Sequence, residues 1–274
     1  MFELQSFYLN TPYQAAGLDE QPAVRLDAFL CGVSPEIGTR NRPAVIICPG
    51  GGYEFLSDRE ADPIALRFCS FGINAFVLRY SICDKPFPTA LLEAAAAVAF
   101  VRSNAAKWDI NTQNISVCGF SAGGHLAACL GVHWNKDFVR KAMGGGEEHR
   151  PNALILGYPV ITSGKFAHEG SIRNIIGTEP EAERLELVSL EKQVSIDTPR
   201  TFIWHCFDDN CVPVENTIDF IRELSKNKIS CECHIYPFGG HGISLADDCT
   251  ASFAEQVNAS CEKWFGDAVG FIKN

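Results

Sequence analysis

The chain lacks any surplus of positive charge: 23 Lys and Arg stand against 33 Asp and Glu, a formal net charge of −10. That argues against a protein that neutralises a nucleic-acid backbone, which needs a basic face; neutral glycans remain compatible. It also lacks a long apolar run. Ala94–Val101 is the nearest approach, too short for a membrane span and rich in alanine, so no membrane association is expected. The opening Met1-Phe2-Glu3-Leu4-Gln5 is not a basic segment leading into an apolar one, so no secretory signal is expected. No internal repeat or low-complexity linker divides the 274 residues, which suit a single domain over 1–274 with a sizeable core. Hydrophobic content of 46% and charged content of 20% describe an ordinary globular chain.

Cysteine is not scarce: there are twelve. Cys48, Cys118 and Cys129 sit inside apolar strands or helices, where cysteine behaves as a small buried hydrophobe. With no signal in view, a reducing cytoplasm and free thiols are expected. Cys231-x-Cys233-His234 has a zinc-like look, yet in an extended strand the two thiols share one face and the imidazole faces away, so no metal site is expected.

Apolar strands alternate with helices along the chain. Strands are expected at Ala23–Leu30 (antiparallel), Ala44–Cys48, Ala75–Tyr80, Ile115–Gly119, Ala153–Leu156, Thr201–His205 and Cys231–Tyr236. Helices are expected at Asp62–Phe71, Thr89–Lys107, Ala122–Leu130, Val214–Lys226 and Cys249–Phe265. The pattern predicts an α/β fold, a mostly parallel sheet covered on both faces. The stretch Ile161–Pro199 is too long for a plain connection, and its Glu179–Val188 part reads as helix; a small cap-like insertion over the site is expected there. Within it, His168, Arg173 and Asn174 suit hydrogen bonding to a polar substrate, and equally suit ordinary loop solvation.

The chemistry is concentrated at three points. Gly119-Phe120-Ser121-Ala122-Gly123 stands between an apolar strand and a small-residue helix, the setting in which a serine is lifted onto a sharp strand-to-helix turn. Asp208-Asp209 follows the strand ending at His205, and Gly239-Gly240-His241-Gly242 follows the last strand. Serine, acid, histidine is the chain order that a nucleophile elbow requires. Either aspartate also suits a helix N-cap, and either could be the acid. Pro49-Gly50-Gly51-Gly52-Tyr53, after a buried strand, offers amides that approach an oxyanion closely; with Ala122, the candidate donors are Gly51 and Gly52. No Lys-Ser/Thr pair follows these glycines and their spacing is not G-x-G-x-x-G, so a phosphate-binding loop fits poorly. No cofactor is expected.

These segments, with Ser57-Asp58-Arg59-Glu60-Ala61, His168-Glu169-Gly170-Ser171, Leu190-Glu191-Lys192-Gln193-Val194 and Gly239 to Leu245, resemble α/β-hydrolase esterases of the acetyl esterase and acetylxylan esterase type. The resemblance runs from about residue 40 to the end of the chain. It implies the α/β-hydrolase fold, a Ser121–Asp209–His241 triad and removal of short acyl groups from sugars such as xylo-oligosaccharides. Hormone-sensitive-lipase-like relatives carry His where this chain has Pro49, so that subgroup fits less well. Tyr53 then either shapes the acyl pocket or covers the glycine loop, His168 is a candidate substrate-binding residue, and His125 belongs below the site. Glu60, Arg59 and Asp58 receive no role. A peptidase of prolyl-oligopeptidase type and a non-catalytic binding protein on the same scaffold are the alternatives; a homo-oligomer is compatible. From the core-embedded cysteines, protein handled without oxidant and then denatured is expected to titrate with most thiols free; finding mostly disulfides counts against the cytoplasmic assignment.

Overall fold

A computed structural model describes residues 2–36, 38–83 and 85–274. Its strands are β1 (Phe2–Tyr8), β2 (Arg25–Cys31), β3 (Arg42–Cys48), β4 (Asn74–Arg79), β5 (Ile110–Phe120), β6 (Ala153–Gly157), β7 (Arg200–Cys206) and β8 (Cys231–Tyr236). They form one sheet in the order β1-β2-β4-β3-β5-β6-β7-β8. β2 runs antiparallel to both β1 and β4, and every other pairing is parallel. Between β3 and β5 the order reverses direction across the sheet. There the loops leaving neighbouring strands part and open a crevice at their C-terminal ends.

The helices are α1 (Asp62–Ser70), α2 (Thr89–Ser103), α3 (Ser121–His133), α4 (Asp137–Ala142), α5 (Glu169–Ile176), α6 (Ala182–Leu187), α7 (Glu215–Lys226) and α8 (Lys263–Lys273). Strand periodicity divides the core in two. Ala44, Ile46 and Cys48 of β3 face the cluster built with α2, α3 and α7, while Val45 and Ile47 face the cluster of α1 and α8. Both faces are therefore covered, which is why the parallel strands read as nearly continuous apolar runs. No helix among the described residues is long and apolar enough to cross a membrane.

Three expectations shift. The strand β1 was not expected; it is an edge strand with mostly exposed residues, and its apolar signal is correspondingly faint. Helix α2 stops at Ser103, where the Asn104 amide turns back onto the carbonyls of Phe100 and Arg102. The closing helix begins at Lys263, not Cys249. Asp247 Oδ1 accepts the Cys249 amide at 3.1 Å, and Asn258 Oδ1 accepts those of Ser260 and Cys261 at 3.1 and 3.2 Å. Such side-chain bonds offer the backbone an alternative to helix, and the stretch becomes turns.

Residues 161–199 fold into α5, α6 and a short 3₁₀ turn, Leu190–Gln193. Two buried histidines of α3 hold this segment: His125 Nε2–H donates to the Val188 carbonyl at 3.0 Å and His133 Nε2–H to that of Leu187 at 2.8 Å. Burial pushes both imidazoles from 6.5 down to about 4. Between those values the unfolded chain binds protons that the folded chain refuses, so stability falls as pH falls through that window. The expected loss is roughly 3 kcal/mol per histidine by pH 4. Urea unfolding at pH 7, 5.5 and 4.5 measures it, and a flat profile contradicts the burial of these rings.

Candidate active site

Two glycines make the turn at Ser121. A Cβ on Gly119 would sit 2.1 Å from the Gly123 carbonyl oxygen, and one on Gly123 would sit 2.1 Å from the carbonyl oxygen of Cys48. Neither position has room for a side chain, because α3 starts directly against the end of β3. Ser121 itself takes φ of 53°, a left-handed conformation that costs a non-glycine residue energy and is concentrated at functional sites. The turn brings its hydroxyl to the crevice while leaving the residue only 8% exposed.

Ser121 Oγ–H donates to His241 Nε2 at 2.8 Å, and His241 Nδ1–H donates to Asp209 Oδ2 at 2.7 Å. The three residues come from the ends of β5, β7 and β8, and the fold brings them into one continuous chain of hydrogen bonds. Asp209 is buried. Its Oδ1 accepts the amides of Cys211 and Val212 at 2.9 and 2.8 Å, and His205 Nε2 lies 3.3 Å from Oδ2. Burial alone raises a carboxyl pKa. Here the hydrogen bonds from His205 and His241, then the His241 charge and the Val212 amide, outweigh it and hold the group well below the usual carboxylate range.

Asp208 does something different: its Oδ1 accepts the Gly240 amide at 2.9 Å, fastening the loop that carries His241. The ring of Tyr158 meets the His241 ring edge-on, centroids 5.0 Å apart. The contributions of Tyr158 and His205 were not legible in the sequence. His205 reads there as one more strand residue, and Tyr158 lies beyond the β6 signal with no motif around it.

The glycine loop lies opposite. Its carbonyls are all engaged: Gly50 with the Ser57 amide, Gly51 with those of Glu54 and Phe55, Gly52 with Asn174 Nδ2 at 2.8 Å. Gly51, with φ of 123°, has no room for a Cβ, which would lie 2.1 Å from the Phe55 carbonyl oxygen. Glu60 Oε2 takes the Gly50 amide at 2.8 Å, which leaves the amides of Gly51 and Gly52 as the loop's candidate donors. Tyr53 is placed beneath this loop and not in the cleft. Its hydroxyl donates to His125 Nδ1 at 2.9 Å and its ring packs on Tyr80, so satisfying that hydroxyl turns the side chain inward. His125 itself is buried below the site.

The cleft above Ser121 has a volume of about 300 Å³, and its lining includes Gly51, Gly52, Phe55, Arg59, His168 and His241. His168 Nδ1 accepts the Ser171 amide at 3.2 Å, which leaves Nε2–H as its free donor. Burial, then the neighbouring His241 charge, lowers its pKa and favours the neutral ring.

A family model described as BD-FAE matches residues 33–224. The chain belongs to this family. The BD-FAE chain is 38% identical over 211 residues to endo-1,4-beta-xylanase B of Butyrivibrio fibrisolvens, covering 76% of this chain and 33% of that one. To an acetylxylan esterase of Xylanibacter ruminicola it is 31% identical over 210 residues, 74% of this chain and 41% of that one. It therefore spans about a third to two fifths of the length of these curated relatives. Among solved structures it matches an acetyl ester-xyloside bifunctional hydrolase from Caldicellulosiruptor lactoaceticus, with a TM-score of 0.77 and 37% identity over 92% of this chain and 90% of that one. A carboxylesterase from Lactobacillus plantarum, 24% identical, superposes with a TM-score of 0.86 over 99% of this chain and 97% of that one, and shows the fold. The BD-FAE chain thus stands among esterase-like α/β-hydrolases.

The two aspartates are separable by experiment. Asp209→Asn is expected to lower kcat a thousandfold or more, because the amide favours the wrong imidazole tautomer. Asp208→Asn keeps an acceptor for the Gly240 amide and is expected to be mild. Both variants measured on one chromogenic acetate ester decide it; the reverse ranking moves the acid to Asp208.

Proposed function

We propose that the protein is a serine carboxylester hydrolase that removes short acyl groups, acetyl first, from small acetylated sugars such as xylo-oligosaccharides. The observation that carries the reaction class is the unbroken Ser121–His241–Asp209 relay, with both bonds below 3 Å and its acid held ionised. In the first step His241 Nε2 takes the Ser121 proton as Oγ attacks the ester carbonyl, and Asp209 orients the ring and stabilises its charged form. The amides of Gly51, Gly52 and Ala122 receive the developing oxyanion. His241 then protonates the departing alcohol, and water repeats the sequence on the acyl-enzyme. Every proton in this cycle moves between groups of the chain, substrate and water.

The substrate class has weaker but convergent support. Relatives bear the names acetylxylan esterase, xylanase and acetyl ester-xyloside hydrolase. The cleft is small and carries polar groups at Ser57, Arg59 and His168, suited to hydroxyl-rich alcohols. We read residues 161–199 as a cap bringing His168 to this cleft, within one catalytic domain. In the cytoplasmic setting expected from the sequence, imported oligomers are more accessible than insoluble xylan.

Ser121→Ala is expected to reduce turnover by at least about a thousandfold with the fold retained; activity within tenfold of wild type removes the nucleophile assignment. A series of acetyl, butyryl and octanoyl esters, with acetate release from acetylated xylo-oligosaccharides, tests the substrate. A specificity constant rising toward octanoyl, or no acetate from any sugar ester, leaves a general carboxylesterase.

A further inference from the structure

The loop Ser57–Glu60 lines the cleft, yet the mechanism uses none of its side chains. Glu60 is the residue of that loop that is buried, 4% exposed, and its carboxylate has neutral partners. The Gly50 amide donates to Oε2 at 2.8 Å and the Tyr158 hydroxyl donates to Oε1 at 2.6 Å. The Tyr158 oxygen in turn accepts the Ser244 amide at 3.0 Å. The Gly50 amide can only donate, and the Tyr158 hydroxyl, its oxygen already accepting from Ser244, turns its hydrogen to Glu60. The two oxygens of Glu60 accept both hydrogens, whereas an amide in its place supplies one acceptor and puts an NH₂ where the other stood.

The two bonds run to two different loops. Gly50 opens the glycine loop and packs against the nucleophile: a Cβ built on it would lie 2.5 Å from Glu60 Oε2 and 3.1 Å from Ser121 Cβ. Ser244 follows the His241 turn, and Tyr158 carries the ring that abuts His241. The backbone around this link is strained, with Tyr158 at φ of 36° and Ser244 at 54°. Strain of this kind persists only where surrounding contacts over-determine it.

We propose that Glu60 is a positioning residue whose carboxyl group fixes the oxyanion loop and the general-base loop relative to one another. The inference rests on the serine-esterase reading. It gives the loop a role in kcat, since small misplacements of donors or base are felt in the transition state more than in the bound substrate.

The test compares wild type, Glu60→Gln, Tyr158→Phe and the double variant, each checked for folding by circular dichroism and urea unfolding. Steady-state kinetics on one chromogenic acetate ester and the rate of fluorophosphonate labelling are read for each. Glu60→Gln preserves shape but sets an NH₂ against a donor; kcat and labelling rate are expected to fall on the order of a hundredfold, with KM within about threefold. Tyr158→Phe cuts one arm of the link, with an expected loss in kcat of about tenfold. Because both changes break the same connection, the double variant is expected to be no slower than Glu60→Gln alone. A residue that only packs would lower stability and leave kcat per folded molecule unchanged. Folded Glu60→Gln with kcat within about threefold of wild type overturns the proposal. Should that variant not fold, Tyr158→Phe with kcat within about twofold overturns it. Wild-type protein that neither labels nor hydrolyses the ester sinks the esterase reading instead.

Discussion

The backbone contact between the start of α3 and the end of β3 is the constraint on which the site depends. Gly123 lies so close to the Cys48 and Pro49 carbonyls that no Cβ fits. That approach is what places a hydroxyl from one strand-to-helix turn beside the glycine loop leaving the neighbouring strand. It occurs at the reversal in strand order between β3 and β5. The crevice and the placement of Ser121 are therefore consequences of one topological feature, with glycine as the local means of reaching it. The left-handed Ser121 is the cost of that geometry, held in place by the packed core on either side.

Around that contact the fold gives each buried acidic side chain more than one hydrogen-bond donor. Asp209 accepts two backbone amides on one oxygen and faces two imidazoles with the other. Glu60 is met by an amide and a phenol. At Asp209 these hydrogen bonds offset the desolvation that burial imposes. The third acid, Asp208, lies outside this arrangement and fastens the histidine loop through Gly240. Adjacent aspartates thus divide two tasks, one electrostatic and one architectural.

What was legible in the sequence is what short-range chemistry encodes. Gly119–Gly123, the glycine run at 50–52 and the His241 loop are local motifs attached to apolar strands, so their placement at strand ends followed from alternation alone. The choice of Asp209 over Asp208 was legible only through the match of Asp209 to Val212-Pro213 with the esterase pattern, and the structure directs Asp209 to the imidazole. Tertiary relations were not. Tyr53 sits next to the glycines in the chain yet points under them, because a hydroxyl partner at His125 exists only once α3 is packed. The stretch at 249–262, with Ala251, Ala254, Glu255 and Gln256, reads as helix, and the turns at Asp247 and Asn258 override it. Glu60 belongs to a polar loop that the sequence leaves without a role; its partner Tyr158 lies almost a hundred residues away in the chain.

The residues of the relay are not equally deep in the sheet. Ser121 rises from β5, flanked by β3 and β6, whereas His241 follows β8, which pairs with β7 alone. An edge strand frays at lower free energy than a central one, so the amides of β8 should exchange hydrogen sooner than those of β5. Under the proposed mechanism, turnover then reports the attachment of one margin of the sheet, not the integrity of the whole. A perturbant that loosens β8 would part His241 from Ser121 while the rest of the molecule still reads as native by its spectrum.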